Sequence, residues 1–432
     1  MTLNKVKLSD SLSLSYTETE RFKSGILTLT IPLPLSAKSS AYAMLLAGIL
    51  KRGTEKYPDI TALNKRLDEL YASSLDVRSA RIGKNLAIIL TADMLDECYI
   101  PDGTDVLDGV LELIEQTLIY PRLENGVFPE AIFRQEKRFL IDSINSSVNN
   151  TRAYASLRLA ELMLASDKEF PTVEELKNIL DGIDASELTD YFMSTVRKAP
   201  IEVFYVGNTA KEVIEKKLMA RFSLWRADMP FSPTLPIPEP KCPYRAESEM
   251  MPVSQGKLAM GFKVGTCIGE GEHKNHVALL FNEIFGGSAM SKLFMNVREK
   301  LSLCYYCSSS YNQYMGTLTV SCGIEHANRA LAENAILSEL EDIRNGKISE
   351  AEFHAAITAL ENSYRQIYDN PYDIQSFFGN RAFFGFSESI ESAREGVLSV
   401  TPDEVSELAR EIVLDSVFYV EPTGGEEDLC DE

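Results

Sequence analysis

The chain has 432 residues, 45% of them hydrophobic and 25% charged, a globular composition that excludes disordered and fibrous classes. Its length predicts about two or three domains, with enough buried core to need no metal or disulfide staple. With 43 Lys and Arg against 64 Asp and Glu, the net charge is −21, which argues against a nucleic-acid partner because phosphate binding draws on clustered cations.

In chain order, Met1 to Asp10 holds no apolar stretch of the signal-peptide kind. Gly25 to Pro32 alternates and is β-branched, which predicts a strand. Ala41 to Leu50 follows as an apolar helix of ten residues, half of the ~20 that a bilayer crossing needs. Leu63 to Ile89 reads as a helix running into strands, and Phe128-Pro-Glu-Ala-Ile-Phe133 opens a long helix. Pro230, Pro233, Pro236, Pro238, Pro240 and Pro243 then mark an extended, semi-rigid linker.

Beyond the linker the same order returns. Gly256 to Lys263 is a strand, His276 to Phe285 an apolar helix, Lys292 to Val320 a helix and strands, and Ile348-Ser-Glu-Ala-Glu-Phe353 opens a second long helix. An internal repeat of this size predicts a duplicated architecture. The expected fold is α+β: two homologous domains, each a mainly antiparallel sheet with helices packed on one face, facing each other like a clam. Their expected spans are 1–225 and 247–422, with the linker at 226–246 and a solvated acidic tail at 423–432. Seven scattered cysteines, an odd number, predict reduced thiols in a cytoplasmic protein with no membrane segment.

The most specific stretch is Gly286-Gly-Ser-Ala-Met-Ser-Lys-Leu-Phe294, followed by Val297-Arg-Glu-Lys-Leu-Ser-Leu-Cys-Tyr305. It resembles the C-terminal half of the insulinase/pitrilysin zinc peptidases, most of all their processing-peptidase branch. Leu67-Asp-Glu-Leu-Tyr71-Ala72 is similar to a non-catalytic bacterial branch associated by name with elongation factor P aminopentanol modification. Active members carry an inverted zinc motif, H-x-x-E-H, on the first helix of the N-terminal domain. Here Lys51-Arg-Gly-Thr54 resembles the segment that follows the motif, which places the three motif positions on Met44, Ala47 and Gly48. The family's third ligand, a Glu, falls on Ser143, beside Asp142, by its spacing from Glu136. None of these residues supplies imidazole or carboxylate in the motif's pattern, and all four histidines (273, 276, 326, 354) lie in the second half. The expectation is that this chain binds no metal or other cofactor. Met44, Ala47 and Gly48 read instead as a small, apolar stripe for close helix packing.

The resemblance assigns Arg298 and Tyr305 to the pair that hydrogen-bonds the substrate carbonyl, where two donors stabilise an oxyanion as it forms. A missing zinc motif beside a retained Arg/Tyr pair implies a metal-free subunit of a heterodimeric peptidase. Its partner would be a paralogue bearing H-x-x-E-H and the zinc, and its substrate a peptide added as a strand to a sheet edge. The alternatives are a scaffold, as in respiratory-complex core subunits, or a peptide-capturing protein without proteolysis. Four other features read as structural. Cys304 and Cys307, three apart on a strand, are expected on opposite faces, so they form no site with Cys322. His273 and His276 are expected at a solvated helix start, and Gly286-Gly287 at a turn between helices, not a phosphate loop. Trp225 is expected to anchor a domain interface.

Overall fold

The computed structural model describes residues 1, 3–229, 231–235 and 244–423. Pro230, Pro236, Pro238, Pro240, Pro243, Cys242, Cys430 and the acidic tail from Gly424 onward lie outside them. Strands β1 (Asn4–Lys7), β2 (Leu12–Glu18), β3 (Ser24–Leu33), β4 (Ser74–Ile82), β5 (Asn85–Leu95) and β6 (Ile201–Gly207) form one sheet. Its order is β1-β2-β6-β3-β5-β4. Strands β7 (Arg245–Met251), β8 (Gly256–Lys263), β9 (Cys304–Asn312), β10 (Thr317–Ile324) and β11 (Val413–Pro422) form the other, in the order β7-β11-β8-β10-β9.

The duplication is visible in the pairing. With β1 set aside, β2 runs parallel to β6 as β7 does to β11, and the other pairs of each sheet are antiparallel. Two glycines mark equivalent places. A Cβ on Gly25 would lie 2.8 Å from the hydroxyl of Tyr205, and one on Gly256 would meet Tyr419 still more closely. In each sheet a tyrosine of the neighbouring strand lies across a bare glycine, the aromatic cover that sheets use to protect such a position. The two long helices agree as well: Glu130–Ser146 and Glu350–Gln366 have 17 residues each.

The chain forms two compact units, each built on one sheet. In the first, helix Ala37–Ile49 is buried on nearly every side, as an apolar helix in a core must be. It joins Leu27, Leu29 and Ile31 of β3 and the helix Val106–Ile119 in one cluster. Trp225 lies in this same core and donates its indole N–H to the Ala199 carbonyl at 2.8 Å. It is therefore a core residue of the first unit and not an interface anchor.

To the helices on one face, each unit adds a helix from the other half of the sequence. The first unit takes Pro371–Phe384, whose Phe383 packs with Ile82, Ala87 and Ile89. The second takes Thr151–Leu164, whose Ala155, Leu159 and Met163 pack with Ala259, Phe418 and Val420. Gly261 of β8 has no side chain where Met163 approaches. The strands divide between residues 4–207 and 245–422, whereas these two helices cross that division. Among the described residues no helix is long and apolar enough to cross a membrane. Cys98, Cys267, Cys304, Cys307 and Cys322 are all reduced thiols.

Candidate functional site

Met44, Ala47 and Gly48 lie on the helix Ala37–Ile49. Ala47 is buried, while Met44 and Gly48 are half-buried. Ser143 is exposed on the helix Glu130–Ser146, and it is Glu136, two turns earlier, that reaches the first helix. A Cβ on Gly48 would lie 2.7 Å from Glu136 Oε2. Arg52 donates from Nε to Glu136 Oε1 at 2.7 Å, and its guanidinium also lies over the Phe139 ring. Glu136 is only 7% exposed, so a buried carboxylate paired with a guanidinium occupies the space beside motif position 48. The apolar stripe expected from Met44, Ala47 and Gly48 is polar on this side. The family zinc does not fit here, because three motif positions carry no donor and the fourth wall is an ion pair already made.

Leu67 to Ala72 closes the helix Ile60–Glu69 and leads into β4. Tyr71 and Ala72 take φ of 58° and 55°, a left-handed turn rarely adopted by residues other than glycine.

The second unit holds Arg298 and Tyr305. Arg298 lies on a π-helical segment, Leu293–Lys300, with its guanidinium 4.4 Å from the Phe294 ring centroid and 3.5 Å from Glu299. Winding of this kind is rare and gathers at functional sites. Lys292, just before it, is buried and pairs with Glu352 at 2.8 Å, which accounts for the lysine in the Ser-Lys-Leu-Phe motif. Tyr305 is 55% exposed, and its hydroxyl donates to Glu325 at 3.4 Å.

The reason for that exposure is a β-bulge. Along the β9–β10 ladder Cys307 faces Cys322 and Tyr306 faces Gly323, but Cys304 faces Ile324. Tyr305 is the extra residue, and an extra residue re-aims a side chain and resets parity. Cys304 therefore shares a face with Cys307 and Cys322, and the three sulfurs lie within 4.8 Å of one another. The strict two-residue period that separates Cys304 from Cys307 fails at this one position. Cys307 and Cys322 are buried and Cys304 is half-buried. Hydrogen bonds from the Cys307 and Cys322 thiols, against the effect of burial and with help from Arg298, hold the Cys304 thiol down to about 4. Their bonds to Cys304 push the other two thiols up.

The remaining candidates are structural. His273 is exposed and lies 2.7 Å from Glu404, but His276 is buried against Gly396 and is not solvated as expected. Gly286 is the penultimate residue of a π-helical turn, Glu283–Gly287, where a Cβ would lie 2.7 Å from the Ser309 backbone nitrogen. Its bareness lets that turn rest on β9. Arg52 and Glu136 are the residues whose pairing the motifs did not show, and the Cys304, Cys307 and Cys322 cluster is one the strand period had excluded. Glu136 carried a signal as the spacing anchor for Ser143 and Arg52 as part of Lys51-Arg-Gly-Thr54, but no linear pattern pairs them.

Residues 182–360 match the model of the peptidase M16 inactive domain. Over that stretch the chain is similar to the M16 peptidases. The M16-like chain is also 28% identical, over 414 residues and 96% of each chain, to the probable inactive metalloprotease YmfF of Bacillus subtilis (strain 168). Its fold matches that of a conserved protein from Enterococcus faecalis V583 with a TM-score of 0.86 at 24% identity, covering 98% of this chain and 100% of that one. A peptidase M16 inactive domain from Pseudomonas fluorescens matches with a TM-score of 0.76 at 16% identity, covering 98% and 99%. A Helicobacter pylori protease matches with 0.77 at 14%, covering 97% and 99%. The insulinase/pitrilysin resemblance and the two-domain α+β fold are thereby confirmed. The M16-like chain thus resembles peptidase-like proteins described as inactive.

Proposed function

We propose that the M16-like chain is the non-catalytic subunit, free of the catalytic zinc, of a heterodimeric zinc peptidase in the cytoplasm. It lends Arg298 and Tyr305 to the scissile carbonyl of a peptide, and an H-x-x-E-H-bearing paralogue supplies the zinc. The observation that carries this reading is the bulge that turns Tyr305 outward on β9, a strand at the end of its sheet. An edge strand has backbone donors and acceptors to offer an extended peptide. The surface carboxylates that hold the two side chains, Glu299 and Glu325, are contacts a substrate can displace.

The test is peptide cleavage by tagged protein isolated from its native host, set against the recombinant chain alone. Chelator-sensitive cleavage is expected in the native eluate only. Arg298→Ala and Tyr305→Phe should each lower kcat by ~100-fold or more, the usual effect of losing one oxyanion donor, with a smaller change in KM. An active complex indifferent to both substitutions would overturn the donor role. No cleavage in either sample would leave a peptidase-like scaffold or a peptide-capturing protein.

A further inference from the structure

We infer that Cys304, Cys307 and Cys322 form a binding site for one thiophilic d10 cation, Zn2+ or Cu+, which ties β9 to β10 across the Tyr305 bulge. The three sulfurs lie within 4.8 Å of one another. A metal–sulfur bond of ~2.3 Å sets sulfurs ~3.8 Å apart in a tetrahedral or trigonal site, so a contraction of about 1 Å or less closes the set. Thiolates alone make a soft donor set, which selects Zn2+ or Cu+ over Mg2+, Ca2+ or Mn2+.

The backbone builds this arrangement. Cys307 and Cys322 stand directly opposite on an antiparallel ladder, and the bulge returns Cys304 to their face. Without the extra residue the third sulfur would point to the other side of the sheet. Charge also favours occupancy: three thiolates and Zn2+ leave one negative charge, and the Arg298 guanidinium acts electrostatically on Cys304. The half-buried Cys304 gives an entry route, while Cys307 and Cys322 are shielded. A disulfide is the competing chemistry for close thiols, but it joins two sulfurs and leaves the third unused. Tyr305 lies inside the Cys304–Cys307 chelate loop, so a bound ion would stiffen the segment that presents it. Metal binding here requires neither a partner chain nor a peptide.

The test uses the full chain, purified under reductant, stripped of metal and titrated anaerobically with Co2+. One equivalent should produce a sulfur-to-cobalt charge-transfer band in the near ultraviolet, which Zn2+ then abolishes. Cys304→Ser should weaken Zn2+ binding by ~100-fold in competition with a chromophoric chelator. Zn2+ should raise the Tm of the unsubstituted chain but not of Cys304→Ser. Cys98→Ser, at an exposed thiol outside the cluster, should behave as the parent. Because Cys304 is half-buried, its serine variant is expected to keep the fold, and an unchanged far-UV spectrum verifies this. Cys322→Ser is the second variant. Absence of the band, or a band that survives Cys304→Ser in a folded chain, overturns the site. Mild peroxide forming a disulfide among these cysteines in a chain that takes up no metal would overturn it in favour of a redox pair.

Discussion

Glu136 and Arg52 form a charged, ordered pair beside Gly48. The carboxylate is buried beside Gly48, and removing one member of such a pair leaves the other without its counter-charge. Glu136→Gln should lower unfolding free energy by ~2 kcal/mol, in the range for hydrogen bonds to charged groups, as read by urea denaturation. Asp142→Asn, on an exposed turn of the same helix, should change it by less than ~0.5 kcal/mol. A second residue-level effect depends on pH. The His273 ring, then the Thr401 hydroxyl and N–H, hold the Glu404 carboxyl down from 4.5 to about 2. A carboxylate with a depressed folded pKa stabilises the fold above its unfolded pKa and loses that contribution as pH falls through the folded value. The Tm difference between the parent and Glu404→Gln should therefore be open at pH 6 and close between pH 4.5 and about 2.

At the scale of elements, the strands and the long helices are legible in the sequence because their signal is local. Alternation marks Gly25 to Pro32 and Gly256 to Lys263, and β3 and β8 fall there. Short motifs mark Phe128 and Ile348, and helices of equal length follow them. The Gly–Tyr cover is less visible, because Gly256 and Tyr419 are far apart in the chain and adjacent only across β8 and β11. Gly256→Val should cost ~2–3 kcal/mol by driving the Tyr419 ring from its place, seen as a lower midpoint in urea with an unchanged slope. The Tyr305 bulge has no signature at all in the periodicity. A regular strand and a bulged one differ by one residue of register, which only the partner strand reveals, so the thiol cluster stayed hidden behind a correct rule applied to an irregular strand.

On the scale of the molecule, each compact unit is built around a sheet from one half and closed by a helix from the other. The apolar face of Thr151–Leu164 buries Leu159 and Met163 against β8 and β11 residues, and a fragment of the first half alone would expose it. Fragments 1–235 and 244–432, expressed separately, should be poorly folded or insoluble. Co-expressed, they should recover the parent's near-UV circular dichroism and co-purify. Two fragments that each fold cooperatively alone would show that the exchanged helices are dispensable.

What the sequence determined by itself was chemical and local. Met44, Ala47, Gly48 and Ser143 offer neither imidazole nor carboxylate, and no fold can draw either from those side chains. Periodicity and repeated motifs determined the duplicated α+β plan, because strand and helix periods follow from backbone geometry. Only the tertiary structure decided that Glu136 and Arg52 pair beside Gly48, that two helices are exchanged, and that Cys304, Cys307 and Cys322 converge. Each of these depends on residues brought together across long separations or on a single shift of register, and a linear pattern encodes neither.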